Sequence, residues 1–241
     1  IIIYIKGDKM IDNILNYKFK ENDFVYYNTY HKILEDLAIK ELDISKVQEV
    51  IKSSDLLTVY KEVMSDFNTD ILYKSILHGI NHNIRVSVYA LVISIYENID
   101  THTFKLITEA CKYHDIGRLS DHKDNEHGKR SAEMIDFLKD KYSPEEINLL
   151  KVAITCHSLP DYEFIRVLEK NNIKDKEKCT KIFKILKDAD ALDRVRLSGS
   201  MIKVEMLRTD IAKQLIKFSY LVYQNYNKMM NKDNNHKTKT R

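Results

Sequence analysis

Five glycines and two prolines in 241 residues leave this chain few places to turn sharply. Gly and Pro interrupt helices and build tight turns, so their scarcity predicts long helices with short connections. Regularly spaced short strands separated by turn signals do not occur, which argues against an all-β fold. The expected class is all-α. The length suits a single domain with elaborated ends, and a hydrophobic share of 44 % is enough for a folded core.

Residues 11–69 read as several short to medium amphipathic helices. They are YYNTYHKILEDLAIKEL, a second starting near Asp43, and SSDLLTVYKEVMSDF with Ser53 and Ser54 as N-cap candidates. Residues 1–69 are therefore expected to be a helical region packed on the rest. The stretch IRVSVYALVISIY (84–96) is rich in β-branched residues and partly alternates, as a buried strand does. Its length, and its continuity with YKSILHGINHN before it, favour one long buried helix. A last helix is expected over 201–230, with Ile202, Met206, Ile211, Leu215 and Phe218 on its apolar side. A basic tail, 231–241, is expected to fray.

The net charge of +3 is no sign of a nucleic-acid partner. Residues 228–241 hold five Lys or Arg against one Asp, or +4, which leaves the body at −1 with no basic stripe. No apolar run reaches membrane-spanning length, and IIIYIK is too short for a signal peptide, with Met10 as an alternative start. Cys111, Cys156 and Cys179 form no CxxC pair and read as reduced thiols, which points to a cytoplasmic protein.

The informative residues are polar groups on apolar helix faces, where positions i, i+3, i+4 and i+7 align. His114 continues the stripe of Phe104, Ile107, Ala110 and Cys111. His127 shares a face with Ser131, Met134 and Leu138. His157 completes the line of Ile147, Leu150 and Ile154, in a helix with Ser143 as cap and Pro144 at its first position. Asp190 follows Leu186 and Ile182, and His82 stands one turn before Val86. A lone buried His is ordinarily bonded to a carbonyl. Burying several imidazoles and acids together costs several kcal/mol (roughly) unless something compensates, and a divalent cation compensates them all at once. Nitrogen with carboxylate oxygen suits Fe, Mn, Co, Ni or Zn better than Ca or Mg.

His82 in HNIRV, His114-Asp115 in YHDIGR and Asp190 in DADALD resemble the ordered H…HD…D signature of the HD-domain superfamily of metal-dependent phosphohydrolases. The resemblance covers about 70–200. It implies a single helical HD bundle with an N-terminal helical extension and a C-terminal helix, and a metal held by His82, His114, Asp115 and Asp190. EHGKRSA and ITCHS look like the segments that bind a second ion in binuclear members, which implies His127 and His157 as its ligands and Asp115 as the bridge. Some such relatives carry an extra ligand one turn before the first His, where His78 stands; a hydrogen bond to a ligand is its alternative role. His31, His102, His122 and His236 have no such context and are expected to face solvent.

The resemblance implies hydrolysis of a phosphoester by a metal-activated hydroxide, oriented by Asp115, without a nucleophilic Ser or Cys. Arg85, Arg118, Lys129 and Arg130 are the candidate phosphate-binding residues, and Arg118 sits where HDIG-type relatives often have a basic residue. Asp193-Arg194 reads as an intrahelical pair. SLPDYEF after His157 lacks the HHE and Gly-Tyr-Pro features of the cyclic di-GMP branch, leaving a nucleotide or other small phosphorylated metabolite as substrate. A second copy of the chain remains an open partner. Three alternatives stand: an HD-fold di-iron oxygenase, which resembles this chain in all six ligands; a nucleic-acid-acting phosphodiesterase; and a non-catalytic regulatory protein.

Overall fold

The computed structural model describes residues 4–18, 28–197 and 202–238. In chain order the helices are α1 (Tyr4–Asn16), α2 (Asn28–Asp36), α3 (Ile44–Ser53), α4 (Asp55–Ser65), α5 (Ile80–Tyr96) and α6 (Thr101–Tyr113). They continue with α7 (His127–Met134), α8 (Pro144–His157), α9 (Tyr162–Lys170), α10 (Lys176–Leu192), α11 (Asp210–Gln214) and α12 (Ile216–Thr238). Short 3-10 segments cover Ile135–Asp140, Asp193–Arg196 and Val204–Met206. No strand occurs among the described residues: the protein is an all-α bundle. None of the helices is long and apolar enough to cross a membrane.

Local sequence sets the helix starts. Asp43 accepts from Lys46 N at the head of α3, Ser54 from Leu56 N at α4, Asp100 from Thr103 N at α6 and Asp175 from Lys178 N at α10. Ser143 and Glu146 form a reciprocal capping box before α8, with Pro144 inside its first turn.

The β-branched run of 84–96 is helical and lies within α5, whose residues from His82 to Ser94 are all buried. Packed against α3, α4, α6, α10, α11 and α12, this helix has no polar face to keep, so its sequence shows little amphipathic pattern. Met10, Ile14, Val47 and Tyr60 from the N-terminal helices join Tyr89, Phe104, Leu150, Leu186 and Phe218 in the same core cluster. Lys112 ties α4 to α6: its ammonium lies fully buried between Val63 O (2.9 Å), Asp66 (2.7 Å) and Glu109 (2.9 Å).

Three boundaries differ from the sequence reading. The helix expected over 201–230 is divided: residue 201 lies outside the described residues, Met206 sits exposed in a 3-10 turn, and α11 stops at Gln214 before α12 begins. Asp188 explains the break, because it accepts from the Arg208 and Thr209 amides (2.9 and 2.8 Å) and pulls that segment onto α10. The backbone stays helical to Thr238, past the expected end at 230, and residues 239–241 of the tail lie outside the described residues. Helix α7 gives way at Ile135 to a 3-10 segment, which shifts the phase, so Met134 is exposed and Ile135 takes its place in the core.

Candidate metal centre

His82 comes from α5, His114 and Asp115 from the turn ending α6, His127 from the first residue of α7, His157 from the last of α8, and Asp190 from the last turn of α10. Gly128 permits the α7–α8 approach. A Cβ there would stand 2.6 Å from Ile154 O and 2.7 Å from Ser158 Oγ, both on α8 or just past its end. The HD turn is fastened to α7 through Gly117, whose N–H donates to Ser131 Oγ (2.8 Å) and whose carbonyl accepts from Arg130 Nε (2.8 Å).

The six side chains converge. His82 Nε2 lies 3.1 Å from His114 Nε2, 3.3 Å from Asp190 Oδ1 and 3.6 Å from Asp115 Oδ2. On the other side of the same carboxylate, Asp115 Oδ1 lies 3.0 Å from His127 Nε2 and 3.5 Å from His157 Nε2, and those two nitrogens are 2.9 Å apart. Asp115 therefore turns one oxygen toward each pair of imidazoles. Asp190 is the most open of the six, at 31 % side-chain exposure against 6 % or less for the rest, so the cluster meets solvent on its side.

The Nδ1 partners assign the tautomers. His114 donates Nδ1–H to Cys111 O (3.0 Å), His157 to Ile154 O (2.6 Å), His127 to Asp124 O, and His82 to Asp193 Oδ2 (2.7 Å). Carbonyl and carboxylate oxygens only accept, so in the neutral ring Nε2 carries a lone pair and no proton. The contacts His82–His114 and His127–His157 then set two lone pairs face to face, and Asp115 Oδ1 is buried without a hydrogen-bond donor. With neutral rings such an arrangement is repulsive, and a cation between them would relieve it. These buried His and Asp groups can hold a metal ion: the ligand atoms of His82, His114 and Asp190 lie within 4.8 Å of one another, as do those of His114, Asp115 and His157.

Burial pushes the His114 imidazole down to about 3, an effect that nearby Asp115 only partly offsets, so the ring is neutral near pH 7. Burial by itself would raise the two carboxyls. The polar surroundings, the His114 ring first for Asp115 and the His82 ring first for Asp190, oppose burial, and both carboxyls lie well below the usual range. A neutral His114 and two ionised carboxyls, Asp115 and Asp190, are the forms in which these three groups can serve as ligands.

Of the four candidate phosphate-binding residues, Arg118 alone touches the cluster, its Nε 2.9 Å from Asp115 Oδ2. Arg85 points the other way: it is 3 % exposed and forks onto Asp193, Nε to Oδ1 at 2.6 Å and Nη2 to Oδ2 at 2.9 Å. A guanidinium buried to this degree and committed to a buried carboxylate is not presented to a phosphate at the solvent side. Arg130 is bound to Gly117 O and Asp124, and Lys129 is exposed two residues past His127, on the opposite side of α7. The Asp193-Arg194 pairing is likewise replaced, since Asp193 serves Arg85, His82 and Arg196.

His78 lies in the turn before α5, not on the helix. Its Nδ1 accepts from Arg196 Nη2 (3.1 Å) while facing Asp115 Oδ2 at 3.1 Å. His102 is exposed and paired with Glu146, and His122 is exposed; the side chains of His31 and His236 lie outside the described residues. Sequence reasoning missed Asp193 and Arg196. The available signal was a matched spacing: Arg85 is three residues after His82, and Asp193 three after Asp190. No family model, curated protein or solved structure matches this chain, and the buried His/Asp cluster is what speaks for its chemistry.

Proposed function

We propose that the protein is a metal-dependent phosphohydrolase of the HD-domain type, acting on a nucleotide or other small phosphoester. One ion is held by His82, His114, Asp115 and Asp190, and a second by Asp115, His127 and His157. The observation that carries this reading is the pair of opposed Nε2 lone pairs on either side of an Asp115 carboxylate that lacks a donor for Oδ1. The ordered H…HD…D motif supports the reaction class. Bound there, divalent cations would supply Lewis acidity toward a phosphoryl oxygen and lower the pKa of a water so that it could lose a proton and attack phosphorus as hydroxide near neutral pH.

The chain's own residues do the rest. Asp115 sets the spacing between the two halves by giving each an oxygen. Arg118, beside Asp115 and at the edge of solvent, is placed to receive a phosphoryl oxygen, and its planar fork suits a tetrahedral oxyanion. The buried walls formed by α5, α6 and α8 keep bulk water out from below, while the Asp190 side admits substrate.

Elemental analysis of the purified protein, then a screen of nucleotides, phosphomonoesters and cyclic dinucleotides with Mn, Co, Ni or Fe, tests the proposal. The expected result is retained transition metal and turnover of one phosphoester class. Asp115→Ala should lose the metal and at least about 100-fold of the turnover while keeping its helical circular dichroism. A wild-type protein without affinity for any of these ions would end the proposal. Retained iron with oxygen uptake and no hydrolysis would turn it into the oxygenase, and equal loss of turnover and folding in Asp115→Ala would make the ion structural.

A further inference from the structure

The supports behind the four inward-facing imidazoles are unequal. His114, His127 and His157 each donate Nδ1–H to a main-chain carbonyl, whereas His82 donates to a carboxylate, that of Asp193, at 2.7 Å. Asp193 is fully buried and held from several sides. Arg85 grips both its oxygens (2.6 and 2.9 Å), the Tyr89 hydroxyl donates to Oδ1 (3.3 Å), and Arg196 Nη1 reaches Oδ2 (3.4 Å). Arg85 is itself fixed, its guanidinium carbon 5.4 Å from the ring centre of Tyr223 and 5.3 Å from that of Tyr226. A carboxylate behind an imidazole locks the ring and drives electron density to the opposite nitrogen; a carbonyl does the second more weakly. The negative charge is uneven too. Two carboxylates, Asp190 and Asp115, face His82, with Arg118 offsetting the Asp115 oxygen on that side, while the His127–His157 pair has only the other Asp115 oxygen.

We propose that Asp193 is a positioning residue that makes the two halves of the centre unequal, so that the His82 half takes a divalent cation first and tightly and the His127–His157 half takes a second one weakly and exchanges it. This rests on the metal-centre reading above. Asp193 acts through His82 and touches no ion.

The test is titration of the chelator-stripped full chain with Co2+, followed by calorimetry and by the visible absorption of the bound ion. Two separable binding steps are expected. Asp193→Asn should weaken the first step by about 10- to 100-fold and leave the second within about threefold. His157→Ala should remove the second step and keep the first. Asp193→Asn leaves the Arg85 charge buried without its counter-ion, so Arg85→Met/Asp193→Asn is the companion variant. It removes both charges together and keeps an amide oxygen for the His82 Nδ1–H. The same selective loss in the first step is expected. Two equal steps in the wild type, an unchanged first step in the variants, or equal weakening of both steps would each overturn the role of Asp193. A wild-type chain that takes up no Co2+ fails differently, because it overturns the metal centre itself.

Discussion

Arg85 and Arg118 look alike in the sequence, each about one turn past a member of the cluster, yet the fold gives them opposite work. Arg85 neutralises a buried acid, and Arg118 stands at the edge of the site. Arg85→Ala should therefore destabilise the protein by about 3–5 kcal/mol, the cost of stranding a buried charge. Arg118→Ala should cost less stability than Arg85→Ala, since Asp115 keeps the surrounding imidazoles, and should act mainly on turnover. Urea unfolding of both variants beside steady-state kinetics checks this, and a marginal effect of Arg85→Ala on stability would refute the assignment. Five of the clustered side chains, His82, His114, His127, His157 and Asp190, were legible because each interrupts an apolar helix face, which is a local signal; Asp115 was legible only through the resemblance of YHDIGR to the HD signature. Asp193 was not, because its partners His82 and Arg85 lie on another helix, and by spacing alone an acid next to an Arg reads as a local pair.

At the scale of elements, the caps at Ser54 and Ser143 and the helix start near Asp43 were legible in the sequence, since a cap depends on neighbours a few residues away. The crossing of α7 and α8 could not, because it depends on what Gly128 lacks. Gly128→Ala would drive a methyl into the Ile154 and Thr155 carbonyls, forcing the two helices apart at the point where His127 meets His157. The expected outcome is a loss of about 1–3 kcal/mol together with a fall in bound metal, read by elemental analysis on folded protein. The start of α12 was also hidden, since its Lys217 N–H donates to Glu41 Oε1 (3.0 Å), far away in sequence. Burial raises the Glu41 carboxyl to about 7 despite that bond. The folded chain thus holds a proton that the unfolded chain releases near 4.5, so this group's contribution falls as pH rises from about 5 through 7. Glu41→Gln should raise the melting temperature at pH 8 and leave it nearly unchanged at pH 4.5; an equal effect at both values would contradict the raised carboxyl.

Across the whole molecule, the all-α class followed from the scarcity of Gly and Pro, but the arrangement did not, since α5 owes its place to burial on every side rather than to pattern. The centre sits where α5, α6, α7, α8 and α10 meet, so an ion there binds the native bundle and has no comparable site on the unfolded chain. At about a hundred times its Kd such an ion adds about 2.7 kcal/mol. In a chain of this size chelation should then lower the melting temperature by about 5–10 °C, reversibly on adding metal back, as calorimetry can measure. His82 and Asp193 are separated by 111 positions along the chain and by 2.7 Å in space. Capture of a cation at this site would accordingly wait until the end of α10 has docked against α5, which would make loading a checkpoint on assembly of the bundle. A fragment that lacks either α5 or α10 would lose His82 or Asp190, and with it the full coordination set.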